Sequence, residues 1–205
     1  MRAIDFFRRH PARTQERMLR ELLERGRGTA FGREYGVAAI RTPERFAASV
    51  PVSDYEAFKP WIGRMMAGER NVTAPGRVDL FARSSGTTSD RSKYIPVTRR
   101  SLWHNHTLGM RDLATLVAAA DPHTKLFDGK TLTLGGSCRR EGRNLVGDLS
   151  ALLIRETALV SRWVRAPKSA TAIIADFDRK AEAICRECAG ERIVAFAGVP
   201  SWNLA

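Results

Sequence analysis

Near residue 78 the spacing of apolar residues changes, and that change limits the chain to a mixed α/β fold. Before it, apolar residues recur at helical intervals. Met18, Leu19, Leu22 and Leu23 share one face, and Gly26 with Gly28 stops the run. Thr42-Pro43-Glu44 supplies an N-cap, a proline at the first helical position and an acid in the first turn. Ser53 and Glu56 stand at capping-box spacing ahead of a stripe of Phe58, Trp61, Ile62, Met65 and Met66. The stripe reads as core, with a kink or restart at Pro60. Beyond residue 78 the pattern shortens: residues 78–82, 93–97, 131–134 and 192–197 read as strands. Helices fill the intervals. One is capped by Thr98 and ends near Asp121-Pro122; another covers residues 172–188 with a break near Asp176. Residues 1–77 are therefore expected to be mainly helical and residues 78–205 to be α/β.

Charge narrows the partners. The net charge is +12, from 34 Lys and Arg against 22 Asp and Glu. A basic chain attracts nucleic acid, but here the basic residues are scattered, with pairs such as Arg8-Arg9, Arg99-Arg100 and Arg139-Arg140 as the densest runs. Nucleic-acid-binding segments show longer blocks or interleaved aromatics, so no specific nucleic-acid partner is expected. The same field favours a small anionic substrate. No stretch approaches the roughly 20 apolar residues of a membrane span, so no membrane partner is expected either. The N-terminus lacks a secretory apolar core, and Asp5, Glu16, Glu21 and Glu24 argue against a transit peptide; the expected location is cytoplasmic. Three cysteines, Cys138, Cys185 and Cys188, fit a reducing compartment better than a disulfide framework.

The segment Ser84-Ser85-Gly86-Thr87-Thr88-Ser89-Asp90-Arg91-Ser92-Lys93 carries the strongest chemical signal. Small residues let backbone N–H groups converge on an anion, hydroxyls add donors, and a lysine adds charge. Composition leaves two readings open, a phosphate cradle and a solvated polar loop. Known phosphate motifs are excluded. A Walker A loop needs Gly-Lys followed by Ser or Thr, whereas Tyr94 follows Lys93; the G-x-G-x-x-G loop needs glycines that are absent around Gly86. Other candidates are weaker. Cys185 and Cys188 lie on an expected helix with no second pair to complete a zinc site. His104 and His106 are two apart, so on a helix they diverge. Gly135-Gly136-Ser137 has the look of a nucleophile elbow, but Arg139 stands where G-x-S-x-G requires glycine.

Phe81-Ala-Arg-Ser-Ser-Gly-Thr-Thr-Ser-Asp-Arg-Ser-Lys-Tyr-Ile-Pro-Val-Thr98 closely resembles the phosphate-loop signature of the acyl-acid amido synthetases of the auxin-responsive promoter family, within the adenylate-forming superfamily. Further segments resemble bacterial members in the same order: Val50-Pro-Val-Ser-Asp-Tyr-Glu56, Leu134-Gly-Gly-Ser-Cys-Arg139, Gly147-Asp-Leu-Ser-Ala-Leu-Leu-Ile154 and Gly198-Val-Pro-Ser-Trp202. The resemblance implies the N-terminal part of an acyl-adenylating large domain, a helical layer against an incomplete sheet. It implies ATP and Mg²⁺ as cofactors and, as partners, a small carboxylic acid and an amine or amino acid, joined through an acyl-AMP. Carried over by position, Ser84, Ser85, Gly86, Thr87, Thr88 and Lys93 would hold the ATP phosphates, and Val199, Ser201 and Trp202 would lie near the acyl pocket. Asp90 departs from the pattern, since many superfamily members have a second glycine there. The family's downstream adenine, ribose and C-terminal lysine motifs lie beyond this sequence, so its catalytic residues are not assigned and the chain is expected to be an inactive fragment missing the C-terminal half of its own fold. A non-catalytic anion- or partner-binding remnant of that fold is the alternative, and after it a basic nucleic-acid-binding module, which rests on charge alone. The run at 192–197 is expected to lack a packing partner, with residues 200–205 beginning a helix.

Overall fold

The computed structural model describes residues 2–84 and 93–198. The chain divides into two units, Met1–Asp79 and Leu80–Ala205.

The first unit is helical. Helices α1 (Arg2–Arg9) and α2 (Pro11–Gly26) are followed by α3 (Ala30–Glu34), a 3₁₀ turn (Val37–Ala39), α4 (Pro43–Ser49) and α5 (Tyr55–Met66). Each start has a local cause. Pro11 sits in the first turn of α2, and Thr42 caps α4 by accepting from the Arg45 N–H. Thr29, fully buried, caps α3 and also donates its hydroxyl proton to the Gly26 carbonyl at 2.7 Å. Gly32 is needed there, because a Cβ would fall 2.0 Å from the Gly26 oxygen. Leu23, Val37 and Ile40 form the core, flanked by Leu19, Tyr35, Phe46 and Val50. The stripe on α5 is core as expected: Ile62 and Met65 are buried, and the Phe31 ring stands 5.6 Å from Trp61 and 6.1 Å from Phe58. Two expectations are corrected. Asp54, not Ser53, caps α5, its carboxylate accepting from the Ala57 N–H at 2.8 Å, while the Ser53 hydroxyl turns to the Pro51 carbonyl. Nor does α5 restart at Pro60, which lies within one continuous helix.

The second unit contains two sheets. Strands β1 (Leu80–Arg83) and β2 (Tyr94–Val97) are antiparallel neighbours. Thr98 then opens the next helix through a capping box with Ser101. That helix runs as α6 (Arg99–Ser101), a π-helical stretch (Leu102–Thr107) and α7 (Leu108–Ala120). Strand β3 (Lys130–Thr133) leads to the hairpin β4 (Cys138–Glu141) and β5 (Asn144–Gly147). Next come α8 (Leu149–Glu156), α9 (Ala158–Ser161), β6 (Arg165–Ala166), α10 (Ser169–Ala172), α11 (Phe177–Cys188) and β7 (Ile193–Ala197). The first sheet has the order β2-β1-β5-β4, with β1 and β5 parallel; the second has the order β6-β3-β7, parallel throughout. One incomplete sheet was expected; the strands divide between two.

Strand β1 is the keel of the first sheet. Leu80, Phe81 and Ala82 are all buried, so both its faces are covered, which explains its unbroken apolar run. Leu80, Ala82, Val97, Leu102, Leu145 and Leu152 form one core cluster. Strand β7, expected to be unpartnered, pairs along β3 from Lys130↔Ile193 to Thr133↔Ala197. The break near Asp176 is real: Asp176 caps α11 by accepting from the Arg179 N–H at 2.8 Å.

Candidate functional site

The chemistry-bearing segment at 84–93 joins β1 to β2, and its two ends are fixed to each other. The Ser84 N–H donates to the Lys93 carbonyl at 3.0 Å, and the Lys93 N–H donates to the Ser84 hydroxyl oxygen at 3.2 Å. These bonds extend the β1–β2 ladder one step past the Arg83↔Tyr94 pair. Ser84 thus has a structural duty as well as a candidate chemical one. Ser85, Gly86, Thr87 and Thr88, named above as phosphate ligands, lie outside the described residues, as do Asp90 and the acyl-pocket candidates Val199, Ser201 and Trp202.

The segment leaves β1 at the carboxyl edge of the parallel pair β1–β5. Ala82 pairs with Gly147, and Gly147 pairs in turn with Cys138 of β4, so the three strands reach this edge together. In open α/β sheets, ligands bind outside the carboxyl ends of the strands. A cavity of about 340 Å³ lies there, lined by Arg83, Ser137, Cys138, Arg139, Gly147 and Ile173, among others. Among the described residues its ionisable lining is two arginines and one thiol. The Arg83 side chain makes no hydrogen bond or ion pair among the described residues, whereas that of Arg139 is held by Glu141 through two hydrogen bonds of 2.8 and 3.0 Å. Burial pushes the Cys138 thiol up, against the pull of Arg155, so it is a less reactive thiol than a freely exposed cysteine. The wall suits an anion.

Behind the cavity, the connection from β3 to β4 is held from below. The Asp148 carboxylate accepts from the Ser137 N–H at 2.9 Å, and the Ser150 hydroxyl accepts from the Gly136 N–H at 3.0 Å. The buried Lys180 ammonium donates to the Gly135 carbonyl at 2.6 Å. Side chains are excluded at the two glycines: a Cβ on Gly135 would meet Ile154 at 2.4 Å, and one on Gly136 would meet the Asp148 carboxylate at 2.0 Å. Gly135-Gly136-Ser137 is therefore a close-packed corner rather than an elbow presenting a nucleophile. Sequence reasoning missed Lys180. The available signal was its spacing, since it shares a helical face with Ile184, the other buried residue of α11.

The other candidates do not converge on this edge. Cys185 and Cys188 lie on α11, and His104 and His106 lie in the π-helical stretch. Among the described residues, no group of three His, Cys, Asp or Glu could hold a metal ion. No helix among them is long and apolar enough to cross a membrane.

This arrangement of strands is shared with solved acyl acid amido synthetases. A solved GH3.15 acyl acid amido synthetase superposes with a TM-score of 0.61 over 81% of this chain and 29% of that one. A second structure, AtGH3.15 acyl acid amido synthetase in complex with 2,4-DB, gives 0.61 over 72% of this chain and 26% of that one. Both are 21% identical, so the likeness is one of fold. The family model "GH3 family N-terminal domain" matches residues 1–189, and the chain belongs to the GH3 family. Among named relatives, the probable indole-3-acetic acid-amido synthetase GH3.2 of Oryza sativa subsp. japonica is 35% identical over 89 residues, 43% of this chain and 14% of that protein. The jasmonoyl–L-amino acid synthetase JAR6 of Nicotiana attenuata is 29% identical over 83 residues, 40% of this chain and 14% of that protein. The aligned stretch is thus about one-seventh of these relatives' length.

Proposed function

We propose that this chain carries the phosphate-binding part of an ATP-dependent ligase that joins a carboxylic acid to an amino acid. The observation that supports this reading best is that Arg83, the residue from which segment 84–93 departs, and Arg139 line one cavity, while Ser84 and Lys93 pin the segment's ends together. Relatives named as indole-3-acetic acid and jasmonoyl amino acid synthetases supply the substrate class, an acyl acid and an amino acid.

In the reaction proposed, a carboxylate oxygen attacks the α-phosphorus of ATP and the bond to the β-phosphate breaks, releasing pyrophosphate. An amine nitrogen then attacks the acyl carbon, loses a proton and displaces AMP, leaving an amide. Ser84, Ser85, Gly86, Thr87, Thr88 and Lys93 hold the phosphates through N–H, hydroxyl and ammonium donors, a set suited to charge that moves between oxygens. Mg²⁺ bound to the triphosphate supplies further neutralisation. The acyl pocket is assigned to the segment holding Val199, Ser201 and Trp202.

The test is ATP–pyrophosphate exchange driven by a carboxylic acid, in the protein expressed from its complete reading frame. Removing one such donor should lower exchange by about 10²-fold, so Ser85→Ala, Thr87→Ala and Lys93→Ala should each show a loss of that order. Exchange that survives all three substitutions would overturn the reading. A folded protein that binds pyrophosphate through Lys93 but never exchanges it would instead establish a binding remnant of the fold.

A further inference from the structure

Lysine is almost never buried without a structural reason, and Lys180 is only 7% exposed. It lies on α11, 45 residues from the Gly135 carbonyl that its ammonium reaches at 2.6 Å. Asp148 attracts it from the start of α8. Asp148 itself is unusual. It stands at the N-cap of α8 yet makes no side-chain cap, its carboxylate going to the Ser137 N–H instead. With Ser150 on the Gly136 N–H, three consecutive residues of the β3–β4 connection are each held by a side chain from another element. What this corner offers outward is Ser137, Cys138 and Arg139, and those residues wall the cavity at the edge from which segment 84–93 departs.

We infer that Lys180 is a positioning residue: by anchoring Gly135 it fixes the Ser137–Arg139 wall at the place where a phosphate-bearing ligand is held. The inference rests on the phosphate reading above. Packing alone does not call for a charge here, because a methionine of similar length would fill the space without the cost of desolvating an ammonium. What methionine cannot do is hold the Gly135 carbonyl.

Cys138 provides a reporter in that wall. In a Cys185→Ser/Cys188→Ser background it is the remaining thiol of residues 1–205, and its alkylation by N-ethylmaleimide can be followed by the mass of the peptide that holds it. Inorganic pyrophosphate is expected to slow the alkylation in a saturable way. Lys180→Met should raise the half-protecting concentration tenfold or more, and Lys93→Ala should raise it as well. Should Lys180→Met fail to fold by circular dichroism, Asp148→Asn acts on the same corner from the opposite side and should raise it at least threefold. An unchanged half-protecting concentration in a folded Lys180→Met or Asp148→Asn protein, with Lys93→Ala still impaired, would overturn the positioning role and leave the phosphate reading intact. No protection in the parent protein would remove the phosphate reading of this edge, and the inference with it.

Discussion

Two connections meet at the carboxyl edge of the first sheet, and they are held in different ways. Of segment 84–93, the two described residues, Ser84 and Lys93, pair with each other. The four-residue link from β3 to β4 is tied along its length by Asp148, Ser150 and Lys180, side chains that arrive from α8 and α11. The described ends of one connection are held by each other, the residues of the other by side chains from elsewhere in the fold. The difference suits their proposed duties. A segment that must present donors to a ligand cannot spend them all on the protein, whereas a wall that orients the ligand gains from having its own polar groups satisfied.

The sharpest way to break this comparison is to crowd the link. Gly136→Ala would place a methyl group 2.0 Å from the Asp148 carboxylate and 2.5 Å from the Asp148 Cβ. Asp148 must then move, freeing the Ser137 N–H and removing the counter-charge near Lys180. Overpacking together with a broken polar network should cost about 3 kcal/mol, read as a lower urea midpoint at constant m-value. A loss below about 0.5 kcal/mol would show that the link is no more constrained than an ordinary surface loop.

Ser84→Ala tests the other side. It removes the hydroxyl that accepts from the Lys93 N–H, a partly buried bond worth about 1 kcal/mol, while the backbone bond between the same residues remains. Stability should therefore fall much less than in Gly136→Ala, while pyrophosphate protection of Cys138 should weaken severalfold. If stability fell as far as in Gly136→Ala, the segment's own ends would be structural pillars and the contrast would vanish.

The contrast also explains what was legible in the sequence. Features set within a few residues could be read directly: the caps at Thr42 and Thr98, the break near Asp176, the α5 core stripe, and strands β1, β2, β3 and β7. The one-residue error at Ser53 has a physical source, because the Asp54 carboxylate is the stronger acceptor and takes the Ala57 N–H. The β4–β5 hairpin went unread because β4 carries Arg139, Arg140 and Glu141, which show no apolar alternation; its turn rests on Gly142 at φ +59°. Two motifs, Leu134–Arg139 and Gly147–Ile154, were recognised as strings, but nothing in either says that Asp148 reaches Ser137. Lys180 was harder still. Its spacing from Ile184 hints at an inward face, but its partner is 45 residues away and only the fold shows that contact. Segment 84–93 stood out in the sequence because its signal is one of composition, carried by its own residues.

The smallest effect concerns the seating of α11, the helix that carries Lys180. Glu187 accepts from the Lys168 N–H at 2.6 Å and from the Thr171 hydroxyl at 2.6 Å, tying α10 to α11. Burial pushes its carboxyl up, but the hydrogen bonds from Thr171 and Lys168, with the nearby charges of Lys168 and Lys130, outweigh this and hold it below the usual glutamate range. A carboxyl lowered in the folded state contributes stability that is complete above its unfolded value and is lost as pH falls through the folded one. The folded protein should thus lose a small increment of stability on acidification below the ordinary carboxylate range. Glu187→Gln should remove that part of the slope while lowering stability at neutral pH. Because Glu187 is only partly buried, the increment should stay under about 1 kcal/mol. Urea midpoints for parent and variant, measured from neutral pH down through the carboxylate range, should converge toward acid. Parallel curves would mean that Glu187 does not seat α11, and that Lys180 keeps its hold on Gly135 through the core contacts of Ile184 instead.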